Sequence, residues 1–499
     1  MKHKSSSAVL VLDIGTSSIK AFVFDEQFRI LGGAERKLKI LIRGTHHEQN
    51  PSDFVSLSRV VMAEAIRRSR LPLSRIGSIG LTNQRETTIV WDRKTGKPVY
   101  PAIVWSDTRT RARCRKLKSH EKSVRSKTGL RLDPYFSASK LAWILEHGDT
   151  AGRDLLFGTV DTWVMWNLLE GSPHITDFTN VSRTLLYNIK TLRWDDSLLQ
   201  LFSVPPQLLP RVVASRHEYG VLKKSVLGRS IPLLAVCGDQ QSSMAAAGLV
   251  VGTTKVTYGT GTFLMQVLGS ELSMYPDFFT TLIPKNMRQP QYALEAKIPY
   301  GGRLIDTVLR DRPSLVRTLT RIARNVDTYL RRLPTRPKKL FIDGGVTRDG
   351  LMAEIQARIS GIPVIGNPEF HGTARGIARL LLGAACILLV SVTPVRADTG
   401  STILPDRRGE CQAGEKPIEC TSWYEKPDAC NQWLNNPEYI IAEGSTGASV
   451  QHYTFCKKDP TKSTPEEKTA GIVVIGGIVA LLVAGFSLFR LITLRKKGQ

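Results

Sequence analysis

A carboxylate that directly follows an apolar strand pattern is the first residue of this chain that could take part in catalysis. Asp239 lies in the tetrapeptide 238–241 (GDQQ), immediately after the apolar residues 232–237. A carboxylate at the end of a strand could accept the proton of a substrate hydroxyl during in-line phosphoryl transfer. The same residue type is also a common N-cap of the helix that follows a strand. The local sequence leaves both roles open.

Arg85 and Glu86 form a second group with chemical potential, because they follow another strand pattern, residues 76–82. A guanidinium offers a fork of N–H donors, and a neighbouring carboxylate offers acceptors. Together they could bind adjacent hydroxyl groups of one substrate. An ion pair on the protein surface would use the same two residue types, and the local sequence does not distinguish the two cases.

Three glycine-containing turns follow strand patterns, the position at which α/β proteins bind nucleotides. The residues that we single out are Asp13, Thr16, Ser17 and Ser18 in the first turn, Gly259, Thr260 and Gly261 in the second, and Gly344 and Gly345 in the third. Backbone N–H groups and hydroxyls in such turns can approach phosphate closely, and an aspartate beside them can hold Mg²⁺ or its waters. Taken singly, each turn is equally compatible with a structural role.

The elements that must position these residues alternate between strands and amphipathic helices. Residues 9–12 and 19–24 predict a hairpin, residues 54–69 a helix, and residues 76–82 a further strand. A second strand–turn–strand pattern covers residues 256–267. Two such units in one chain predict two related lobes with a ligand cleft between them.

The composition changes after residue 380. Residues 380–393 are apolar, follow two arginines, and precede Pro394. A run of this length is typical of the apolar part of a signal peptide or of a buried helix. Residues 470–489 carry no charge and precede the basic cluster 495–497, which predicts a transmembrane helix with a cytoplasmic C-terminus.

The cysteines also separate the two parts of the chain. Four of them, Cys411, Cys420, Cys430 and Cys456, lie close together in the polar segment 398–468. This spacing predicts a disulfide framework, for which three pairings are open. Since residues 1–7 lack the apolar region of a secretory signal, we expect the first part to be cytoplasmic and residues 398–468 to lie outside the cell.

The formal net charge of +25 would favour an anionic partner such as nucleic acid, a membrane surface or ATP. The sequence has no zinc-ligand spacing, no basic motif rich in aromatic residues and no recognition-helix pattern. We therefore interpret the charge as a solvated basic surface and do not predict nucleic-acid binding.

Several segments, in this order, resemble the FGGY family of carbohydrate kinases, and its glycerol-specific branch in particular. They are residues 13–17, 81–91 (LTNQRETTIVW), 92–105 (DRKTGKPVYPAIVW), 133–143 (DPYFSASKLAW), 156–168, 176–188, 238–241 and 258–261. The stretches NQRETT and DPYFSASKLAW carry the resemblance to the glycerol branch, and the glycine turns are shared across the actin-like superfamily. The resemblance covers about residues 8–380 and implies ATP-dependent phosphorylation of glycerol to glycerol 3-phosphate, with Mg²⁺.

The resemblance also implies a role for each site residue. Those that would bind glycerol are Arg85, Glu86, Tyr135, Asp239 and Gln240, with Trp105 as the apolar wall behind the carbons. Asp239 would be the base, and Asp13 would help to hold Mg²⁺. The residues that would contact ATP are Thr16, Ser17, Ser18, Gly259, Thr260, Gly261, Gly302, Gly344 and Gly345.

The implied fold is α/β: a two-lobed actin-like (ribonuclease H-like) ATPase with a shortened second lobe. We expect an N-terminal lobe at 8–252, a C-terminal lobe at 253–382, an apolar segment at 380–397, the cysteine-bearing segment at 398–468, and a transmembrane helix with its tail at 470–494. The second lobe is expected to lack several strands, because the family's sequence pattern is lost after Glu295. The apolar run is expected to replace the family's final helix.

Two functional hypotheses follow. The first is an active glycerol-phosphorylating enzyme that carries a membrane-anchored extension. The second is a catalytically inactive kinase-like domain attached to a membrane protein whose working part is the cysteine-bearing segment. The chain could also join two unrelated coding sequences near Arg375, which is compatible with either hypothesis. Xylulose- or gluconate-type activity fits less well, because it would not need Arg85 and Glu86 together with Tyr135. Homo-oligomer formation is left open.

Overall fold

The computed structural model describes residues 8–259, 261–284, 289–298, 312–348, 350–366, 371–383, 417–423, 439–446 and 450–457. The chain divides into two compact units, Met1–Ala397 and Asp398–Gln499. The described residues of the first unit contain two six-stranded β-sheets with helices on their faces, together with four smaller sheets of two or three strands. We call the part built on the N-terminal sheet the first lobe and the part built on the other sheet the second lobe.

The strands of the first lobe are β1 (Ala8–Ile14), β2 (Ser18–Phe24), β3 (Ile30–Lys37), β4 (Leu41–Arg43), β5 (His46–Gln49), β6 (Ile76–Asn83), β7 (Ile89–Asp92), β8 (Ala102–Ile103), β9 (Leu155–Gly158), β10 (Ile175–Asp177), β11 (Tyr187–Asn188), β12 (Arg193–Trp194), β13 (Arg211–Val213), β14 (Arg216–Val221) and β15 (Pro232–Gly238). Those of the second lobe are β16 (Thr254–Tyr258), β17 (Thr262–Gly269), β18 (Phe279–Ile283), β19 (Gln291–Ile298), β20 (Leu340–Asp343) and β21 (Val364–Gly366).

The helices are α1 (Pro51–Ser69), α2 (Arg111–Lys116), α3 (Glu121–Thr128), α4 (Ser137–His147), α5 (Val160–Leu168), α6 (Phe178–Val181), α7 (Asp196–Phe202), α8 (Lys224–Leu227), α9 (Asp239–Ala247), α10 (Arg312–Leu330), α11 (Leu351–Ser360) and α12 (Gly372–Leu382). The predicted helix at 54–69 is α1. Its start follows local chemistry: the Asn50 side chain accepts a hydrogen bond from the Ser52 N–H, and Pro51 occupies the first helical position.

The main sheet of the first lobe has six strands in the order β14-β15-β6-β1-β2-β3. Strand β1 pairs antiparallel with β2 and parallel with β6, and β6 pairs parallel with β15. Alternate residues of β1 enter different cores: Leu10 and Leu12 face the side covered by α1, and Val9 and Val11 face the side covered by α12. Burial on both faces explains the uninterrupted apolar pattern of this strand.

The sheet of the second lobe repeats this arrangement, with the order β18-β19-β17-β16-β20-β21. Here β16 pairs antiparallel with β17 and parallel with β20, and β20 pairs parallel with β21. The prediction of two related lobes is thereby confirmed. The described residues of the second lobe form six strands, contributed by segments on either side of the motif loss after Glu295. The expectation that this lobe lacks several strands of its family stays a prediction.

Helix α12 includes the first residues of the predicted apolar segment 380–397. Residues 380–382 form its last turn. Ala374 and Ile377 of α12 are buried with Val9 and Val11 of the first sheet, although the predicted boundary at 252/253 assigns this helix to the second lobe. Gly376 allows the close approach to α9, because a side chain there would collide with the Ser242 backbone. Residues 384–397 lie outside the described residues.

The described part of the second unit is a three-stranded antiparallel sheet of β22 (Pro417–Trp423), β23 (Tyr439–Thr446) and β24 (Val450–Lys457), in the order β22-β24-β23. Cys420 pairs in register with Tyr453, and Cys456 with Pro417. Cys411 and Cys430 lie outside the described residues, so the disulfide framework stays a prediction. Among the described residues no helix is long and apolar enough to cross a membrane, and the predicted span at 470–489 lies outside them.

Candidate active site

A cavity of about 130 Å³ lies between the two lobes. Its lining includes Thr16, Ser17, Arg85, Glu86, Trp105, Tyr135, Asp239, Gln240, Gly259 and Gly261, all of which the sequence predicted as site residues. Thr257 and Phe263 of the second lobe also line it. The structure therefore brings residues from distant parts of the sequence together at one place, at the ends of strands β1, β6, β15 and β16.

Arg85 lies just beyond the end of β6 and is 2% exposed, so it is not part of a surface ion pair. Its Nη1 and Nη2 atoms donate to the two carboxylate oxygens of Glu295, at 2.7 and 2.8 Å. Its Nε atom lies 3.2 Å from Oδ1 of Asp239 but has no hydrogen-bond partner of adequate geometry among the described residues. A buried donor without a partner at the wall of a cavity is suited to bind a ligand.

Glu86 occupies a left-handed backbone conformation with φ of 59°. This region is unfavourable for residues other than glycine, and such strain is concentrated at functional sites. The carboxylate lines the cavity, and its Oε1 atom accepts a hydrogen bond of 2.7 Å from Nε of Arg183. The strained backbone therefore presents a fixed acceptor beside the donor of Arg85.

Glu295 and Arg183 form a buried ion network beside the cavity, which the sequence reasoning missed. Glu295 is fully buried on β19, and Oε1 also accepts a hydrogen bond of 3.0 Å from Nη2 of Arg183. Burial alone would raise the pKa of Glu295, but the charges of Arg183 and Arg85 outweigh it and lower the pKa to about 2. A lone glutamate inside the otherwise apolar stretch 292–296 was the signal that could have identified it.

Asp239 is the first residue of α9, whose N-cap is Gly238. The carboxylate of Asp239 accepts a hydrogen bond of 2.7 Å from the Gln240 N–H. Its side chain keeps 27% of its surface exposed, yet burial in the cleft raises the pKa to about 6, against the opposing charge of Arg85. A pKa near the working pH suits a general base.

An aromatic wall closes one side of the cavity. The indole N–H of Trp105 donates to Oγ1 of Thr16 at 2.8 Å, and the Trp105 ring lies edge-on to Tyr135 and Phe263, with centroid distances of 5.7 and 6.3 Å. Nζ of Lys297 lies 5.0 Å from the centre of the Trp105 ring and 4.6 Å from that of Tyr135. Burial raises the pKa of Tyr135 well above its usual range, so its hydroxyl stays neutral.

The glycine turns flank the cavity. The first turn closes when the Gly15 N–H donates to the carbonyl of Ser18. Ser18 is buried as the first residue of β2 and is not among the residues that line the cavity. Gly344 has φ of 100° and lies against the Tyr258 backbone, where a side chain would collide. The position next to it, Gly345, has open space in the side-chain direction.

Two further predicted residues, Thr260 and Gly302, lie outside the described residues. Their assignments to the nucleotide therefore stay predictions.

Asp13, at the end of β1, is the candidate metal ligand. Its Oδ2 atom accepts a hydrogen bond of 2.6 Å from Oγ1 of Thr373, and burial raises its pKa. The described residues contain no group of three or more histidine, cysteine or acidic side chains placed to hold a metal. Mg²⁺ is usually held by one or two carboxylates together with water and substrate phosphates, and the partly buried Asp13 fits that mode.

Lys255 of β16 is a further residue that the sequence reasoning did not identify. Its buried ammonium donates to Oε1 of Gln240 at 3.0 Å, to Oγ of Ser243 at 2.8 Å and to Oγ1 of Thr257 at 2.6 Å. Burial lowers the pKa of Lys255. The hydrogen bonds to Gln240 and Ser243 connect the second sheet to α9, which begins with Asp239.

Comparison with known proteins agrees with this arrangement. The sequence model of the FGGY family of carbohydrate kinases, N-terminal domain, matches residues 8–246. The glycerol kinase of Paraburkholderia xenovorans is 42% identical over 337 residues, which cover 65% of this chain and 66% of that protein. Glycerol kinase 1 of Clostridium tetani is 40% identical over 338 residues, which cover 64% of this chain and 68% of that protein. The chain thus spans about two thirds of the length of these relatives.

Solved structures extend the comparison over the described lobes. Plasmodium falciparum glycerol kinase with ADP superimposes with a TM-score of 0.68 at 26% identity, over 75% of this chain and 89% of that one. A xylulose kinase from Lactobacillus acidophilus, with a TM-score of 0.67 and 15% identity over 75% and 88%, shares the fold. The predicted two-lobed kinase fold is confirmed, and the chain belongs to the FGGY family of carbohydrate kinases.

Proposed function

We propose that this chain transfers the γ-phosphoryl group of ATP to glycerol and so forms glycerol 3-phosphate. The observation that carries the proposal is the pairing, in one small cavity, of the unpartnered Nε donor of Arg85 with the carboxylate of Asp239 at 3.2 Å. Two adjacent hydroxyls of a polyol can engage this donor and this acceptor together. The similarity to glycerol kinases from bacteria and Plasmodium supports the same substrate.

The lining of the cavity favours a polyol, because hydrogen-bonding groups and an aromatic ring meet there. The carboxylate of Glu86 and the guanidinium of Arg85 would bind neighbouring hydroxyls, with the hydroxyl of Tyr135 and the side-chain amide of Gln240 close by. The ring of Trp105 would cover the carbon atoms.

Asp239 would act as the base. Its carboxylate accepts the proton of the attacking hydroxyl while that oxygen bonds to the γ-phosphorus and the bond from phosphorus to the leaving β-phosphate oxygen breaks, which yields glycerol 3-phosphate and ADP. Arg85 keeps Asp239 in place and opposes the increase of its pKa. Closure of the two lobes would exclude water from the reacting phosphoryl group.

The nucleotide would lie along the turns of both lobes. We assign Thr16, Ser17, Gly259, Thr260 and Gly261 to the phosphates, Gly344 and Gly345 to the adenosine side, and Gly302 to a further nucleotide contact. Asp13 would hold Mg²⁺, whose charge offsets that of the phosphates. The six-stranded sheet of the second lobe supports this active-enzyme hypothesis over an inactive kinase-like domain.

The test is a substrate panel with the full chain. The purified protein is incubated with Mg·ATP and glycerol, xylulose or gluconate, and the phosphorylated product is identified by mass spectrometry. We expect glycerol 3-phosphate as the main product and at least a tenfold lower kcat/KM for the two other compounds. Preferential phosphorylation of xylulose or gluconate, or no phosphorylated product from a folded protein, would overturn the proposal.

A further inference from the structure

The side chain of Glu295, on strand β19 of the second lobe, contacts the substrate side of the first lobe. Glu295 accepts hydrogen bonds from two guanidinium groups of the first lobe, those of Arg85 and Arg183. Neither Glu295 nor Arg183 is among the residues that line the cavity. Their effect on a substrate must therefore act through the residues that they hold.

The hydrogen bonds of Glu295 lead to Arg85 and Glu86, two of the residues that would bind the substrate. Glu295 holds Arg85 directly, through both carboxylate oxygens. It also holds Nη2 of Arg183, and Nε of the same guanidinium donates to Glu86 at 2.7 Å. One carboxylate of the second lobe therefore fixes the orientation of the donor Arg85 and, through Arg183, of the acceptor Glu86.

The surroundings make this carboxylate hard to replace. The side chains of Arg85, Arg183 and Glu295 are at most 1% exposed, and the Arg183 guanidinium lies 5.0 to 5.6 Å from the rings of Tyr135, Phe136 and Phe279. Breaking a buried ion pair by removing one partner leaves an uncompensated charge that water cannot solvate well. Without Glu295, two buried cations would repel each other and would turn toward the remaining carboxylates, Glu86 and Asp239.

We propose that Glu295 is a positioning residue that sets the geometry of glycerol binding from the opposite lobe, with Arg183 as the link to Glu86. The inference rests on the proposed function. It predicts that loss of the Glu295 charge changes the productive binding of glycerol, although Glu295 does not touch the substrate, and that it leaves the nucleotide turns intact.

The experiment compares full-length Glu295→Gln, Glu295→Asp and Arg183→Lys with the unmodified chain. The matched control is Glu48→Gln, which makes the same substitution at an ion pair with Arg109 that lies outside the cavity lining. Steady-state kinetics give kcat and separate KM values for glycerol and ATP, and thermal unfolding monitors stability. The pH dependence of kcat/KM for glycerol is measured as well.

We expect Glu295→Gln to lower kcat/KM for glycerol by about 10²-fold, the size of effect that a misplacement of about 1 Å produces, with KM for ATP unchanged. Glu295→Asp, which keeps the charge, should recover part of the loss. Arg183→Lys should also lower kcat/KM for glycerol, because a single ammonium cannot bond Glu295 and Glu86 in the geometry of the guanidinium fork. Glu48→Gln should retain the kinetics of the unmodified chain.

The pH profile adds a readout that a purely structural role would not change. Arg85, Glu86, Asp13 and Lys255 are the charged groups that act on Asp239. In Glu295→Gln, Arg85 is no longer neutralised by Glu295, so its charge should lower the pKa of Asp239. The fall of kcat/KM at low pH, the acid limb of the profile, should therefore move to lower pH. Glu48→Gln should leave the acid limb in place.

The outcomes separate the two proposals. If the unmodified chain phosphorylates glycerol and Glu295→Gln differs from Glu48→Gln only in its unfolding temperature, the positioning role is overturned and the proposed function stands. If Glu295→Gln does not fold, Arg183→Lys decides: an unchanged kcat/KM for glycerol overturns the inference. If the unmodified chain neither phosphorylates nor binds glycerol by calorimetry, both proposals fail.

Discussion

Oδ1 of Asp239 and Nε of Arg85 lie 3.2 Å apart in the wall of the cavity between the lobes. The two residues come from the ends of different strands, β15 and β6, which pair in parallel in the same sheet. The remaining guanidinium nitrogens of Arg85 are occupied by Glu295 and Gln241. The donor and the carboxylate that face the cavity are therefore held in place before a substrate arrives, which is the arrangement that positional catalysis requires.

The pH dependence of activity follows from Asp239. The base must be ionised, and burial raises its pKa to about 6. We expect kcat/KM for glycerol to fall as the pH decreases through about 6, with a tenfold loss per pH unit below it. The measurement is a pH–rate profile with the glycerol concentration well below KM.

A matched variant tests that assignment. Asp161 is buried on α5 outside the cavity, and burial raises its pKa to about 6 as well. Asp161→Asn removes this carboxyl group and should leave the acid limb in place. Disappearance of the limb in Asp161→Asn would contradict the assignment to Asp239.

Arg85→Lys should weaken the binding of glycerol. Lysine keeps the charge but cannot bond Glu295 through two nitrogens and also offer a third toward the cavity. The loss of a charge-assisted hydrogen bond costs about 1.5–3 kcal/mol, so we expect KM for glycerol to increase roughly tenfold or more. The control is Arg109→Lys, another buried arginine with acidic partners, which should not change KM for glycerol. If Arg85→Lys and Arg109→Lys changed KM for glycerol equally, the role of Arg85 in binding glycerol would be refuted.

Lys255→Met should destabilise the protein. The substitution leaves the acceptors on Gln240, Ser243 and Thr257 without their donor in a buried place. An unsatisfied buried polar group costs about 1–3 kcal/mol, and denaturant unfolding should show a loss of this size. An unchanged free energy of unfolding would mean that water replaces the ammonium at no cost.

Much of the site could be predicted from the sequence, because its residues are adjacent in the chain to strand ends. Arg85 and Asp239 follow apolar strand patterns, and the ends of neighbouring parallel strands meet at one edge of a sheet. Arg85 and Glu295 are separated by 210 positions, and no local pattern indicates that a buried glutamate on one lobe pairs with an arginine on the other. The ion network therefore required the structure.

The helix α12 shows a different limit of sequence reasoning. Its apolar last turn at residues 380–382 continues into the apolar residues that follow, so composition alone does not mark where the helix ends. The small residues of α12 were a better signal, since Gly376 and Ala378 suit close packing on neighbouring elements.

Gly376→Ala tests the packing of α12 directly. The added methyl group would collide with the Ser242 carbonyl group of α9, and overpacking of this kind costs about 1–3 kcal/mol. Gly366→Ala is the matched control, because a methyl group there meets no atom within 4 Å. We expect Gly376→Ala to lower the free energy of unfolding and Gly366→Ala to change it by less than about 0.5 kcal/mol. Equal effects would show that α12 does not approach α9 closely.

The most direct test of the central claim is the rate of ADP release from Mg·ATP by the full-length chain, with and without glycerol, compared with Asp239→Asn. The account predicts glycerol-dependent release by the unmodified chain and a loss of about 10²- to 10⁴-fold in kcat for Asp239→Asn, which should still bind glycerol by calorimetry. Glycerol-dependent release that Asp239→Asn retains would contradict the role of Asp239. No release from a folded chain that still binds glycerol would contradict the assignment of this chain as an active phosphotransferase.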